Sequence, residues 1–221
     1  MIRQLDLDFC ILIYSDEDSY INLEKEMVIR AYSFNKEFAK ISIPKFKIQL
    51  VYSREEFNRL WGFETQKFVS AFVKDTNLVI FSYKVFDKET KWRKKEFYNT
   101  LIHEINHLFY QDLRHDPYEP LWLSEGLATF MQHIKKKTNY KNKLKITKKL
   151  LEQTFEEINL ESYQVFTMFV EYLILSFGED KILELISELK KGTELNRVFQ
   201  KIYKMSFEEL IKDGNRYQKI T

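Results

Sequence analysis

TLIHEINHLFY (100–110) decides how the rest of the chain is read. In it and just before it, the apolar residues Phe97, Leu101, Ile105, Leu108 and Phe109 recur at three- and four-residue spacing, the signature of one face of an α-helix. On such a helix His103 and His107, four residues apart, lie on the same side and can turn two imidazoles toward one ion at about 2.0–2.1 Å each. Glu104 lies off that axis, placed to take a proton from a metal-bound water rather than to bind the metal. A mostly buried helix carrying two histidines and a glutamate is costly unless something compensates them, and a metal does. The alternative is a helix whose two histidines are merely solvated.

A third ligand is available downstream. WLSEGLA (122–128) places Glu125 eighteen positions after His107, in the next predicted helix. Two histidines, one glutamate and an open fourth position for water make a catalytic tetrahedral zinc site, whereas a structural site would be closed by a fourth protein ligand. Gly126 is an expensive residue inside a helix, about 1 kcal/mol against alanine. Close approach of this helix to the HEINH helix is the expected compensation.

Working outward, the chain has 221 residues, which favours one domain or two subdomains sharing a cleft. Hydrophobic residues make up 44% and aromatic residues 16%, enough for a packed core and too many for a disordered chain. Only 5 glycines and 3 prolines favour long helices over a sandwich or barrel. A net charge of +2 gives no case for a nucleic-acid partner. Cys10 is the single cysteine, so no internal disulfide and no cysteine-based zinc site can form; within FCILIY it reads as a small buried hydrophobe. No stretch approaches the roughly 18 apolar residues of a membrane span. The short apolar run near the N-terminus lacks the layout of a signal peptide. The expected location is cytoplasmic.

Residues 5–14 (LDLDFCILIY) read as one buried strand and 19–39 as a helix with Met27, Val28, Ala31, Phe34 and Phe38 inward. FKIQLVY (46–52) reads as a second strand. Ser53 and Glu56 form a capping box for a short helix that Gly62 ends. FVSAFV and LVIFSY flank the hairpin turn KDTN (74–77). The order expected for the first ninety residues is therefore β-α-β-α-β-β. After Lys91 come helices: about Trp92–Tyr110, then LWLSEGLATFMQHI, then three or four more punctuated by Gly178, Gly192 and Gly214, with a capping box at Ser206 and Glu209. The expected fold class is α+β: a small mixed sheet with helices in a subdomain 1–91, then a mostly helical subdomain 92–221 carrying the HEINH motif, the whole forming one domain.

HEINH followed by WLSEGLA resembles the gluzincin clan of zinc metallopeptidases, to which thermolysin and the aminopeptidase N family belong. WLSEG is close to the segment that carries the glutamate ligand in aminopeptidase N-type enzymes. The chain is too short for those multidomain proteins and looks more like the compact bacterial peptidase-MA-like domains, which also end with a helix of the type SYQVFTMFVEYLILSFG. The resemblance spans residues 46–214, with 103–107 and 122–128 its specific parts. It implies a single zincin-like catalytic domain, that His103, His107 and Glu125 bind Zn2+, that Glu104 is the general base, and that the chain hydrolyses peptide or protein substrates. It also implies an oxyanion donor, for which Tyr163 in ESYQVF matches the family tyrosine and Tyr172 is the next candidate, and an edge strand around Val69–Phe72 that pairs with extended substrate. The His107–Glu125 spacing is a residue or two shorter than in the larger relatives, a difference the loop 111–120 must absorb. Two rivals stand beside this reading: a regulatory or interaction protein that retains the metal with weak catalysis, and a helical module in which the motif is coincidental.

Other residues have plainer readings. Thr129, one turn after Glu125, can support a ligand histidine. His115 and His133 read as surface residues and Trp122 as core. The eight lysines of 135–149 read as a solvated loop and helix face, or as a patch for an acidic partner.

Overall fold

A computed structural model describes residues 1–114, 119–133 and 144–218. The chain forms two compact units, 1–108 and 109–221.

The first unit is built on a five-stranded mixed sheet: β1 (Ile2–Asp6), β2 (Cys10–Ser15), β3 (Phe46–Val51), β4 (Ala71–Lys74) and β5 (Asn77–Phe81), in the order β1-β2-β3-β5-β4. β2, β3 and β5 run parallel, while β1 and β4 are antiparallel to their neighbours. Helix α1 (Ile21–Ala39) makes the crossover from β2 to β3, which a parallel pair requires. Helix α2 (Arg54–Trp61) follows β3, and α3 (Phe86–Glu89) follows β5. The α+β class expected from the sequence is the class observed.

Several boundaries differ from expectation, each for a local reason. The run 5–14 is a hairpin rather than one strand: the Leu7 amide donates to the Cys10 carbonyl at 2.8 Å and reverses the chain. Only the second half is buried, so β1 pairs as an exposed edge while Cys10 and Leu12 are fully enclosed. Burial pushes the Cys10 thiol up to about 12, as suits a packed hydrophobe. Ser53 caps α2 by accepting from the Glu56 amide at 3.2 Å, but the Glu56 carboxylate accepts from Tyr52 and not from Ser53. The predicted turn at 74–77 closes with Asp75 at φ 55, a left-handed position aspartate tolerates. Residues 94–96 form a 3-10 turn, so the HEINH helix starts at Phe97 rather than near Trp92.

At the ends of the parallel strands a buried polar cluster gathers. Ser82 Oγ lies 2.6 Å from Asp18 Oδ2 and 2.9 Å from Glu24 Oε1. The Tyr52 hydroxyl donates to Asp18 at 2.8 Å, and the Tyr83 amide donates to Glu24 at 2.6 Å. The buried stripe of α1 runs Glu24, Val28, Ala31, Tyr32, Asn35, Phe38 and Ala39. Met27 and Phe34, expected inward, are half-buried, and two polar residues hold places in the stripe.

Helix α4 (Phe97–Arg114) carries residues of both units. The rings of Tyr83 and Phe86 meet Phe97 edge-on at 5.5 and 5.3 Å and anchor its start.

The second unit is helical: α5 (Leu121–His133), α6 (Lys148–Leu151), α7 (Leu160–Phe177), α8 (Glu179–Leu189), α9 (Leu195–Tyr203) and α10 (Phe207–Tyr217). Asn159 and Ser162 form a capping box for α7, and Ser206 and Glu209 form the expected one for α10. Gly178 and Gly192 separate helices as expected, but Gly214 lies inside α10, buried, where a Cβ would meet Ile146 and Tyr172 at 3.1 Å. Trp122 is core, packed on Phe169 at 5.0 Å. Of the basic stretch, 135–143 lies outside the described residues. The remainder is not simply a solvated face: Ile146 is fully buried, and its amide and carbonyl both bond to the Asn215 side chain at 2.8 Å. No helix among the described residues is long and apolar enough to cross a membrane.

Candidate metal centre

Helix α4 sets the first two donors. Phe97, Leu101 and Ile105 are fully buried along one stripe, and Leu108 nearly so. That stripe leaves His103 and Glu104 on a half-buried flank, while His107 is 5% exposed. The two Nε2 atoms lie 3.1 Å apart, with ring centroids at 4.8 Å.

The third donor comes from α5. Pro120 opens this helix, its carbonyl accepting from the amides of Leu123 and Ser124 at 2.9 and 3.2 Å. One turn in, Glu125 is 4% exposed. Gly126 does make a close approach, but its neighbour is α7 and not the HEINH helix. An added Cβ would stand 2.6 Å from the Phe166 carbonyl oxygen and 2.9 Å from Val170 Cγ2. That backbone contact is why a glycine is tolerated inside the helix.

The ligand atoms of His103, His107 and Glu125 all lie within 4.8 Å of one another, close enough to hold a metal ion. Four-coordinate zinc with bonds of 2.0–2.1 Å sets its ligand atoms about 3.3 Å apart, so the imidazole separation fits. Two imidazoles and a carboxylate form a donor set that divalent transition metals accept, zinc and iron(II) among them.

The remaining sequence candidates fall differently. Tyr172 is a core residue: it is 1% exposed, and its hydroxyl donates to Asp213 at 2.7 Å. Burial, then the Asp213 carboxylate, raises its pKa above the ordinary tyrosine value. Tyr163, in the first turn of α7, is half-buried, as are Thr129 and His133. His115 lies outside the described residues. β4 is the terminal strand of the sheet, two residues beyond the start of the edge expected at Val69–Phe72.

Sequence reasoning missed two buried asparagines, one on α1 and one on the histidine helix itself. Asn35 on α1 donates to the Ile102 carbonyl at 3.1 Å, and Asn106 donates to Asn35 Oδ1 at 2.9 Å. The available signal was the spacing 24–28–31–35–38 on α1, which places Asn35 in the apolar stripe despite its polarity.

No curated protein matches the chain. A family model described as Peptidase MA superfamily matches residues 66–219, which include the histidine helix, Glu125 and the whole of α7. With that match covering well over half its length, the chain belongs to the peptidase MA superfamily.

Proposed function

We propose that the chain works as one zinc-dependent peptidase domain of the gluzincin type. The observation that carries the reading is the convergence of His103, His107 and Glu125, two of them nearly buried, in a chain of this superfamily. These three would hold zinc, which when bound lowers the pKa of water and polarises the scissile carbonyl. Glu104, one residue from the first ligand and half-buried, accepts a proton from the attacking water and returns it to the leaving amine. Tyr163 donates to the developing oxyanion. Its rival Tyr172 is enclosed in the core at 1% exposure, whereas Tyr163 is half-buried in the first turn of α7, which favours this assignment. Extended substrate pairs with β4 at the end of the sheet.

Glu104→Gln keeps the shape of the side chain and removes its basicity. It should retain stoichiometric zinc and lose nearly all hydrolysis of an unfolded protein substrate. His103→Ala and His107→Ala should lose the zinc itself. Full metal content in both histidine variants, or wild-type turnover in Glu104→Gln, would overturn the assignment. Tyr163→Phe should lower kcat about a hundredfold or more, equivalent to about 2.7–4 kcal/mol, with zinc content and KM little changed. An unchanged kcat would remove Tyr163 from the mechanism.

A further inference from the structure

Two amide side chains join α1 to α4 in the interior of the first unit. Asn35 is fully buried and Asn106 is 3% exposed. The Asn35 amide nitrogen donates to two carbonyls on two helices, Ala31 at 3.0 Å and Ile102 at 3.1 Å. The Asn106 amide donates to Asn35 Oδ1 at 2.9 Å. Ile102 immediately precedes His103, and Asn106 immediately precedes His107. Each contact from α1 therefore falls one residue before an imidazole, about 100° and 1.5 Å away along the helix.

We infer that Asn35 and Asn106 are positioning residues: they fix the rotation and axial register of α4 and so the direction in which His103 and His107 present their rings. This rests on the metal-binding reading above. The pair is a poor device for stability alone. Asparagine is a weak helix former. Two amides lose their water, and Asn106 Oδ1 is buried with no hydrogen-bond partner. Leucine at both positions would fill similar space with nothing left unsatisfied. What leucine lacks is direction. The apolar contacts of Phe97, Leu101 and Ile105 tolerate small rotations because dispersion attraction is nearly isotropic, whereas an N–H···O=C bond weakens steeply off its axis. A buried asparagine that selects register at a cost in stability is well attested in helical assemblies. The required tolerance is tight. Side-chain tips ride about 5–6 Å from a helix axis, so turning α4 by ~10° moves each ring nitrogen ~1 Å. A misplacement of that size costs about a hundredfold in a reaction that depends on geometry.

The test is the double substitution Asn35→Leu/Asn106→Leu in the full chain, with two readouts. In the metal-loaded protein, Co2+ replaces zinc and its visible absorption reports ligand geometry, while competition with a chelator gives zinc affinity. In the metal-free protein, hydrogen exchange reports the protection of the α4 amides. The thermal midpoint should be unchanged or higher, yet zinc affinity should fall about tenfold to a hundredfold. The Co2+ bands should shift, and the α4 amides should exchange faster. A purely structural role predicts the reverse, with stability moving and the Co2+ spectrum constant. Parental spectrum, affinity and exchange together would overturn the inference. If the parent itself takes up no Co2+, the metal reading fails, and exchange alone decides the clamp: parental protection in the double variant overturns it, and lost protection supports it. Should the double variant not fold, Asn106→Ala, which retains the Asn35–Ile102 bond, should show the same changes with a zinc loss near tenfold.

Discussion

At the ends of β2, β3 and β5, the buried Asp18, Glu24 and Ser82 meet the half-buried Tyr52 in a cluster in which every contact is directional. Around Trp122 the second unit is also buried but held by rings: Phe169 at 5.0 Å, Phe199 at 6.3 Å and Phe207 at 6.4 Å. The first region depends on where protons are, the second on volume. Proton bookkeeping makes the first concrete. The Ser82 hydroxyl has one hydrogen and two carboxyl groups within reach. Asp18 accepts from the Tyr20 amide and the Tyr52 hydroxyl, whereas Glu24 Oε2 is buried without a partner. Burial, then the Asp18 charge, push the Glu24 pKa up to about 7, so Glu24 takes up a proton as the pH falls through neutrality.

The contrast can be broken most forcefully at the ring cluster. Trp122→Ala removes the largest fully buried side chain and should cost about 3–5 kcal/mol, read as a lower denaturant midpoint. The loss should be the same at pH 5 and pH 8, since no titrating group is removed. A pH-dependent loss would erase the distinction between the two regions.

The polar cluster should respond in the opposite manner. Glu24 has a folded pKa of about 7 against a reference of 4.5, so the folded state binds the proton more tightly. The stabilisation is fully present below about pH 4.5 and is lost as pH rises through about 7, a change of about 3 kcal/mol at most. Glu24→Gln mimics the protonated form. Its stability relative to the parent should grow between pH 5 and 8, measured by denaturation across that range. Parallel pH profiles for the two proteins would place the proton elsewhere.

Tyr172 lies inside the ring-packed unit with a polar tether, and it gives the smallest effect. Tyr172→Phe keeps the ring and deletes the bond to Asp213, which should cost about 1 kcal/mol and leave zinc content and turnover unchanged. A large loss of turnover would return Tyr172 to the reaction.

How much of this could be read in advance follows the same division. The α4 stripe, the caps at Ser53 and Ser206 and the turn near Asp75 are local patterns, and each is where the sequence places it. That His103, His107 and Glu125 come together was legible because a metal site calls for particular residue types at particular spacings. The break at Leu7–Phe9 was not, because the apolar run continues through it and only Asp6 and Asp8 hint at a turn. Glu24 and Asn35 were hidden for a related reason. A hydrophobic pattern assigns polar residues to the surface, and only tertiary partners (Ser82 and Tyr83 for one, Ile102 and Asn106 for the other) make their burial affordable. Gly126 was recognised as a point of close approach, but which helix approaches is a tertiary fact, and it is α7.

The seat of Gly126 has a mechanical meaning. Where two helices touch through side chains, either can creep, because a rotamer yields. Here the neighbour is the Phe166 carbonyl, in the middle of an eighteen-residue helix. It belongs to the peptide backbone and cannot step aside. At this point α5 therefore rests against a stop of very low compliance, one residue from Glu125. The turn that carries Glu125 is therefore set against α7 by backbone packing rather than by side chains that can yield.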